Sequence, residues 1–89
     1  MEELTTEQVA SALDAWRARR RGTPTPEPPV EPRARRIWLT DAATQARRWG
    51  ISPVADRRSG DGQRLWPAAA VRAALEAATG PGRRRRSNG

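Results

Sequence analysis

Apolar residues near the start of the chain recur at the spacing of one helical face. They are Val9, Leu13 and Trp16. Separations of four and three residues place these side chains on one side of a helix. Thr5 and Gln8 have the spacing of a capping box, which starts helices. The pattern predicts an amphipathic helix over residues 1–21, whose stripe packs either on the rest of the chain or on the same helix of a second copy.

Prolines interrupt the helical pattern over the next segment. Five of them fall in GTPTPEPPVEP, residues 22–32, and a run of this kind is extended and semirigid. Arg33, Arg35 and Arg36 follow directly. We therefore expect a Pro-rich linker over residues 22–36, ending in a basic arm that lies along DNA or is solvated.

A second helical period starts at Thr40 or Asp41, and Gly50 ends it. Its predicted inner face consists of Ala42, Ala46 and Trp49. The residues that point away from that face are Thr44, Arg47 and Arg48. Small alanines allow close packing, while the outer hydroxyl and guanidinium groups suit phosphates and base edges.

The stretch after this helix has two interpretations. Residues 53–58 and 63–66 can form two strands, because Gly60-Asp61-Gly62 between them is typical of a hairpin turn. In that arrangement Val54, Leu65 and Trp66 face inward, and Arg57, Arg58 and Arg64 point outward. The alternative is a short helix opened by Pro53, which would turn Asp56 toward the core. The turn signal favours the hairpin.

A last helix follows, opened by Pro67 and closed by Gly80 and Pro81. Its predicted buried stripe is Val71, Ala74, Leu75 and Ala78. Residues 81–89 contain Arg83, Arg84, Arg85 and Arg86 among Ser, Asn and Gly, and are predicted to be a disordered basic tail.

Charge adds the main indication of function. All 17 basic residues are arginine, and the net charge is +7. Residues 33–89 carry thirteen arginines against four acids, a balance of +9, whereas residues 1–32 carry four against six. A basic region of this size attracts a polyanion.

Composition also narrows the chemistry. The 89 residues include no Cys and no His, which removes disulfides, thiolate zinc sites and the commonest general base. We expect no enzyme activity, no cofactor and no metal. No apolar run approaches the ~20 residues of a membrane span, and the acidic start MEELTTEQ is unlike a secretory signal. A cytoplasmic, nucleoid-associated protein without membrane contact is the expectation.

Four short motifs carry a resemblance to a known family. They are RRWGI at residues 47–51, PV at 53–54, GQRLW at 62–66 and AV at 70–71. Together they resemble the MerR-like and excisionase-type helix-turn-helix domains of small actinobacterial and actinophage proteins, with Trp66 where the pattern often has Tyr. The resemblance covers about half the chain. It implies a mainly α fold with a small β-hairpin, a winged-helix core over residues 37–80, a helix in the major groove and a wing on the adjacent backbone or minor groove.

The chain departs from this pattern in two ways. Its reading helix is short, and no ordinary first helix directly precedes it. Either residues 4–20 supply that helix across the linker, or the domain is a reduced version.

These features predict a sequence-specific double-stranded DNA-binding protein, acting as a transcriptional regulator or as an excisionase-type recombination directionality factor. The expected contacts are Thr44, Arg47 and Arg48 in the major groove, Arg57, Arg58 and Arg64 on the backbone, and Arg35, Arg36 and Arg83–Arg86 as non-specific affinity. Expected partners are DNA, an integrase or RNA polymerase, and a second copy through the N-terminal helix. The alternative is a protein-interaction adaptor that uses the N-terminal helix and the Pro-rich linker. RNA binding is less favoured, because Phe and Tyr stacking residues are absent.

Overall fold

The computed structural model describes residues 2–54, 58, 60 and 62–79. Its elements, in chain order, are β1 (Glu3–Thr5), α1 (Thr6–Arg21), α2 (Pro32–Arg48), β2 (Leu65–Pro67) and α3 (Ala68–Thr79). The described part of the chain is therefore mainly helical with one two-stranded antiparallel sheet, as the sequence predicts at that level of detail.

Helix α1 begins with the predicted capping box. The Thr5 hydroxyl accepts a hydrogen bond from the Gln8 backbone N–H at 3.1 Å, and the Thr5 N–H donates to the Gln8 side chain at 2.8 Å. Its apolar stripe, formed by Val9, Leu13 and Trp16, is buried. The stripe thus packs on the rest of the chain, which is the first of the two expected arrangements.

The sheet joins the beginning of the chain to residues near its end. Strands β1 and β2 are antiparallel, with Leu4 opposite Trp66. The sequence interpretation assigned no strand to residues 3–5, and it placed Pro67 in the last helix rather than at the end of β2. Three residues are too few to show a strand period, so only the tertiary pairing reveals β1.

Two contacts among the described residues are compatible with the predicted hairpin, although the strand partner of β2 is β1. The Val54 N–H donates to the Leu65 carbonyl at 2.7 Å, and Arg58 forms an antiparallel bridge with Arg64. These contacts are those of a chain that returns along β2, on the side away from β1. Residues 55–57, including Arg57, lie outside the described residues.

Helix α2 begins at Pro32, so the predicted start at Thr40 or Asp41 was wrong. The Glu31 carboxylate accepts a hydrogen bond from the Ala34 N–H at 2.9 Å and caps the helix. Pro32 occupies a first-turn position, where its missing N–H leaves no bond unmade. The three arginines of the expected basic arm therefore lie in the first turns of α2.

The other end of α2 agrees with the sequence. Gly50 adopts a positive φ of 81°, a conformation that side chains with a Cβ disfavour. The Ile51 N–H then reaches back to the Ala46 carbonyl at 3.0 Å, which closes the last turn and buries Ile51.

Replacing Glu31 with alanine should destabilise the chain by about 1 kcal/mol, because the first turn of α2 loses its capping oxygen. Urea unfolding of the variant measures this difference. Glu27→Ala is the matched control, since it removes the same charge from an exposed position in the connector. Equal stability of the two variants would contradict a helix start at Pro32.

The core draws on all three helices. Trp66 has no exposed surface, and the core around it includes Val9 and Leu13 from α1, Ala46 from α2 and Val71 from α3. The Trp66 indole N–H donates to the Thr6 hydroxyl at 2.9 Å, so its polar atom is satisfied inside the core. Residues 37–80 therefore do not form a core by themselves.

Polar contacts show the relative direction of helices α1 and α2. Glu7 pairs with Arg35, the Trp38 indole N–H donates to Asp14 at 2.8 Å, and Arg17 lies 3.4 Å from Asp41. The partners advance in the same direction along both helices, so the chain must return to the starting end between them. An extended Pro-rich run advances ~3.1 Å per residue, so residues 23–31 can span the ~24 Å length of α1.

Candidate nucleic-acid interface

Helix α2 exposes one face along its whole length. The exposed residues that share this face, here named the α2 face, are Arg33, Arg36, Ile37, Thr40, Thr44, Arg47 and Arg48. They recur every three or four residues, as one side of an α-helix requires. On the opposite side Ala42 and Ala46 are almost completely buried, as predicted, and the third predicted member of the inner face, Trp49, is half-buried against the core.

The α2 face combines length with a suitable chemistry. A helix of 17 residues is ~25 Å long, and the ~12 Å width of the major groove of B-DNA admits an α-helix. Four of the exposed residues are arginine and two are threonine. The acidic residue of α2, Asp41, is exposed at the margin of this face.

Arg47 occupies a defined position next to the sheet. Its guanidinium carbon lies 5.9 Å from the centre of the Trp66 ring. A cation at this distance is attracted to the aromatic face, so the contact orients Arg47 from the side of β2. Thr44 and Arg48 are also exposed, as predicted.

Arg35 does not share the α2 face. Its side chain is half-buried, pairs with Glu7 and lies with its guanidinium carbon 5.6 Å from the centre of the Trp38 ring. Arg35 thus holds α1 against α2. Arg36, by contrast, is exposed on the α2 face together with Thr44, Arg47 and Arg48.

The described arginines between α2 and β2, Arg58 and Arg64, are exposed. Arg58 and Arg64 face each other across an antiparallel bridge, which puts both side chains on one side of the ladder. The Arg58 guanidinium donates to the Gly62 carbonyl at 3.2 Å and so closes the turn. The remaining predicted contacts, Arg57 and Arg83–Arg86, lie outside the described residues.

Two polar members of the α2 face were missed as site residues. Arg33 was assigned to a basic arm and Thr40 to a helix start, because the helix was begun too late. The signal that could have placed both is the pair Glu31-Pro32, an oxygen-bearing cap followed by proline at the first helical position.

Other chemistry finds little support in the described part of the chain. No group of three or more Asp or Glu side chains that could hold a metal ion occurs there. None of the helices described is long and apolar enough to cross a bilayer. Comparison with known protein families, with curated proteins and with solved structures gives no match to this chain.

Proposed function

We propose that this chain is a sequence-specific double-stranded DNA-binding protein that inserts the α2 face into the major groove. The observation that carries the proposal is the row of four arginines and two threonines on that face, which also includes Ile37. A solvated basic helix would not need its hydroxyls and guanidiniums aligned over about four turns.

Each group on the face has a role that its chemistry suits. Arg47 and Arg48 can each make two hydrogen bonds to guanine, and Thr44 can bond a base edge or contact a thymine methyl. Arg33 and Arg36 lie about three to four turns from Arg47 and Arg48, toward the start of α2, where phosphate contacts become available. Arg58 and Arg64 contact the neighbouring backbone from the wing.

A winged helix-turn-helix is the finer fold that we propose. Helix α1 packs directly on α2 and would be the first helix of the motif. The pair departs from the usual motif, because the two helices run in the same direction and their connector is longer than a turn of about three to four residues. The contacts of Val54 with Leu65 and of Arg58 with Arg64 support a wing between α2 and β2.

Within this function we propose a transcriptional regulator or an excisionase-type recombination directionality factor, acting at the nucleoid with RNA polymerase or an integrase as partner. The adaptor alternative requires an exposed apolar stripe on α1. That stripe is buried in the core, and this favours DNA binding.

Salt titration of duplex binding tests the proposal. If about five arginines contact phosphate, log K should fall against log salt with a slope near −4 to −5. The measurement uses fluorescence anisotropy with duplexes from the DNA flanking the gene of this chain, and an unrelated duplex as competitor. A slope flatter than about −1, or no binding at low salt, would contradict DNA binding.

Replacing Arg47 or Arg48 with alanine should cost roughly 1–3 kcal/mol of binding free energy and relax the preference at one base pair, because a bidentate contact to guanine is lost. Selection from a randomised duplex library measures the preference. Arg72→Ala is the control, since Arg72 lies on α3 and is exposed. Unchanged preference in both α2 variants would remove them from the base contacts.

A further inference from the structure

The last turns of α1 carry a second basic surface beside the α2 face. Trp16, Arg17, Arg20 and Arg21 line one open cavity of about 400 Å³, here named the α1 arginine pocket. Arg19 belongs to the same turns and is exposed, but it does not line the cavity. The negative end of the helix dipole attracts all four arginines alike. It therefore does not explain why Arg17, Arg20 and Arg21 line one cavity.

Trp16 gives the pocket a rigid floor. The Arg20 guanidinium carbon lies 4.8 Å from the centre of the Trp16 ring, a cation–π distance. Trp16 also contacts Trp49, which lies at the end of α2. The two rings meet in an edge-to-face arrangement, with ring centres 5.9 Å apart and planes at 90°. The guanidinium of Arg20 is therefore held in place before any ligand arrives.

The pocket and strand β2 lie at opposite margins of the α2 face. Arg17 contacts Asp41 at one margin, and the Trp66 ring of β2 contacts Arg47 at the other. Asp41 and Arg47 are six residues apart, so their side chains differ by about 120° of rotation about the helix axis. The α2 face lies between these two contacts, so basic groups border it on both sides.

We propose that the α1 arginine pocket binds a phosphate of the DNA backbone on one side of the groove that α2 enters, opposite the strand contacted by Arg58 and Arg64. This inference rests on the proposed function. A duplex with a helix in its major groove presents a backbone along each margin of that helix. The pocket supplies the guanidiniums for the backbone that the wing does not reach.

Asp41 regulates the availability of Arg17. The pair is exposed, with 36% and 60% of the two side chains accessible, and exposed ion pairs contribute little. A phosphate can therefore replace the Asp41 carboxylate as the partner of Arg17. Asp41→Asn should free the guanidinium and raise the affinity for DNA.

The test compares two double variants that lose the same charge. Arg17→Gln with Arg20→Gln removes two of the three pocket cations, whereas Arg19→Gln with Arg72→Gln removes two arginines outside the pocket. If the pocket neutralises one or two phosphates, the salt slope of the pocket variant should flatten by about 1–2 relative to the parent. The control variant should keep a slope within about 0.5 of the parent value.

Phosphate ethylation interference identifies which phosphates of the DNA backbone the pocket contacts. In the parent, ethylation on both sides of the bound groove should inhibit binding, and in the pocket variant the interference on one side should disappear. Arg17→Lys with Arg20→Lys retains the charges and should restore the parent slope. Because this lysine variant preserves the ion pair with Asp41, it also reports on binding if the glutamine variant unfolds in a circular dichroism melt.

The outcomes separate the two proposals. A parent that binds with a slope near −4 to −5, together with pocket and control variants of equal slope and equal interference pattern, would overturn the pocket and leave DNA binding intact. A parent that does not bind duplex at low salt would overturn DNA binding and the pocket with it.

Discussion

Replacing Trp66 with alanine should leave the chain largely unfolded. The indole is completely buried among residues of all three helices, and truncation of a buried aromatic residue costs about 3–5 kcal/mol. A small domain has a total stability of about 5 kcal/mol at the lower end of the usual range. The variant also leaves the Thr6 hydroxyl without its indole partner inside the core.

Far-UV circular dichroism and thermal melting of Trp66→Ala measure this effect. Ile37→Ala is the control, because that side chain is 64% exposed and its truncation removes apolar surface outside the core. Trp66→Tyr keeps an aromatic ring and a hydroxyl donor, and should remain folded with a lower melting temperature. A Trp66→Ala variant that melts like the parent would refute the central position of this ring.

A fragment that begins at residue 30 should not fold on its own. It lacks β1, the strand partner of β2, and it lacks α1, which contributes Val9 and Leu13 to the core. Each of these two side chains is 2% exposed, and full burial of such a side chain contributes about 1.5–3 kcal/mol. Their joint loss approaches the whole stability of a small domain.

The measurement is a denaturant titration of fragment 30–89 followed by circular dichroism. Adding a peptide of residues 1–29 should restore helical signal in a concentration-dependent manner, because it returns the missing strand and helix. A peptide with Leu13→Ala is the control and should restore less. Cooperative unfolding of the fragment alone, near the midpoint of the parent, would show that residues 30–89 suffice.

Local signals in the sequence predict the ends and faces of the helices well. The capping box at Thr5, the glycine stop at Gly50 and the buried alanines of α2 all act within a few residues, so short windows contain the information. The outward direction of Thr44, Arg47 and Arg48 follows from the same periodicity.

Such local signals do not predict pairings between residues that are far apart in the sequence. Strand β1 has three residues and finds its partner more than fifty positions away, so nothing in its own sequence distinguishes it from a helix cap. The start of α2 was missed for a different reason. Pro32 is the last of five prolines in the connector, and the extended run concealed a proline that serves as a helix start.

The pairing of β1 with β2 also constrains how the chain folds during synthesis. Helix α1 is made first, yet Trp66, which covers its apolar stripe, follows Leu13 by about fifty residues. At ~5–20 residues per second, ribosomes need roughly 3–10 s to make that interval. Throughout this time the part of the stripe that Trp66 covers is available to chaperones, and a nascent chain that ends before residue 65 leaves that part exposed. Complete folding is therefore deferred until β2 has been synthesised, because β1 and Trp66 find their places only when β2 is present.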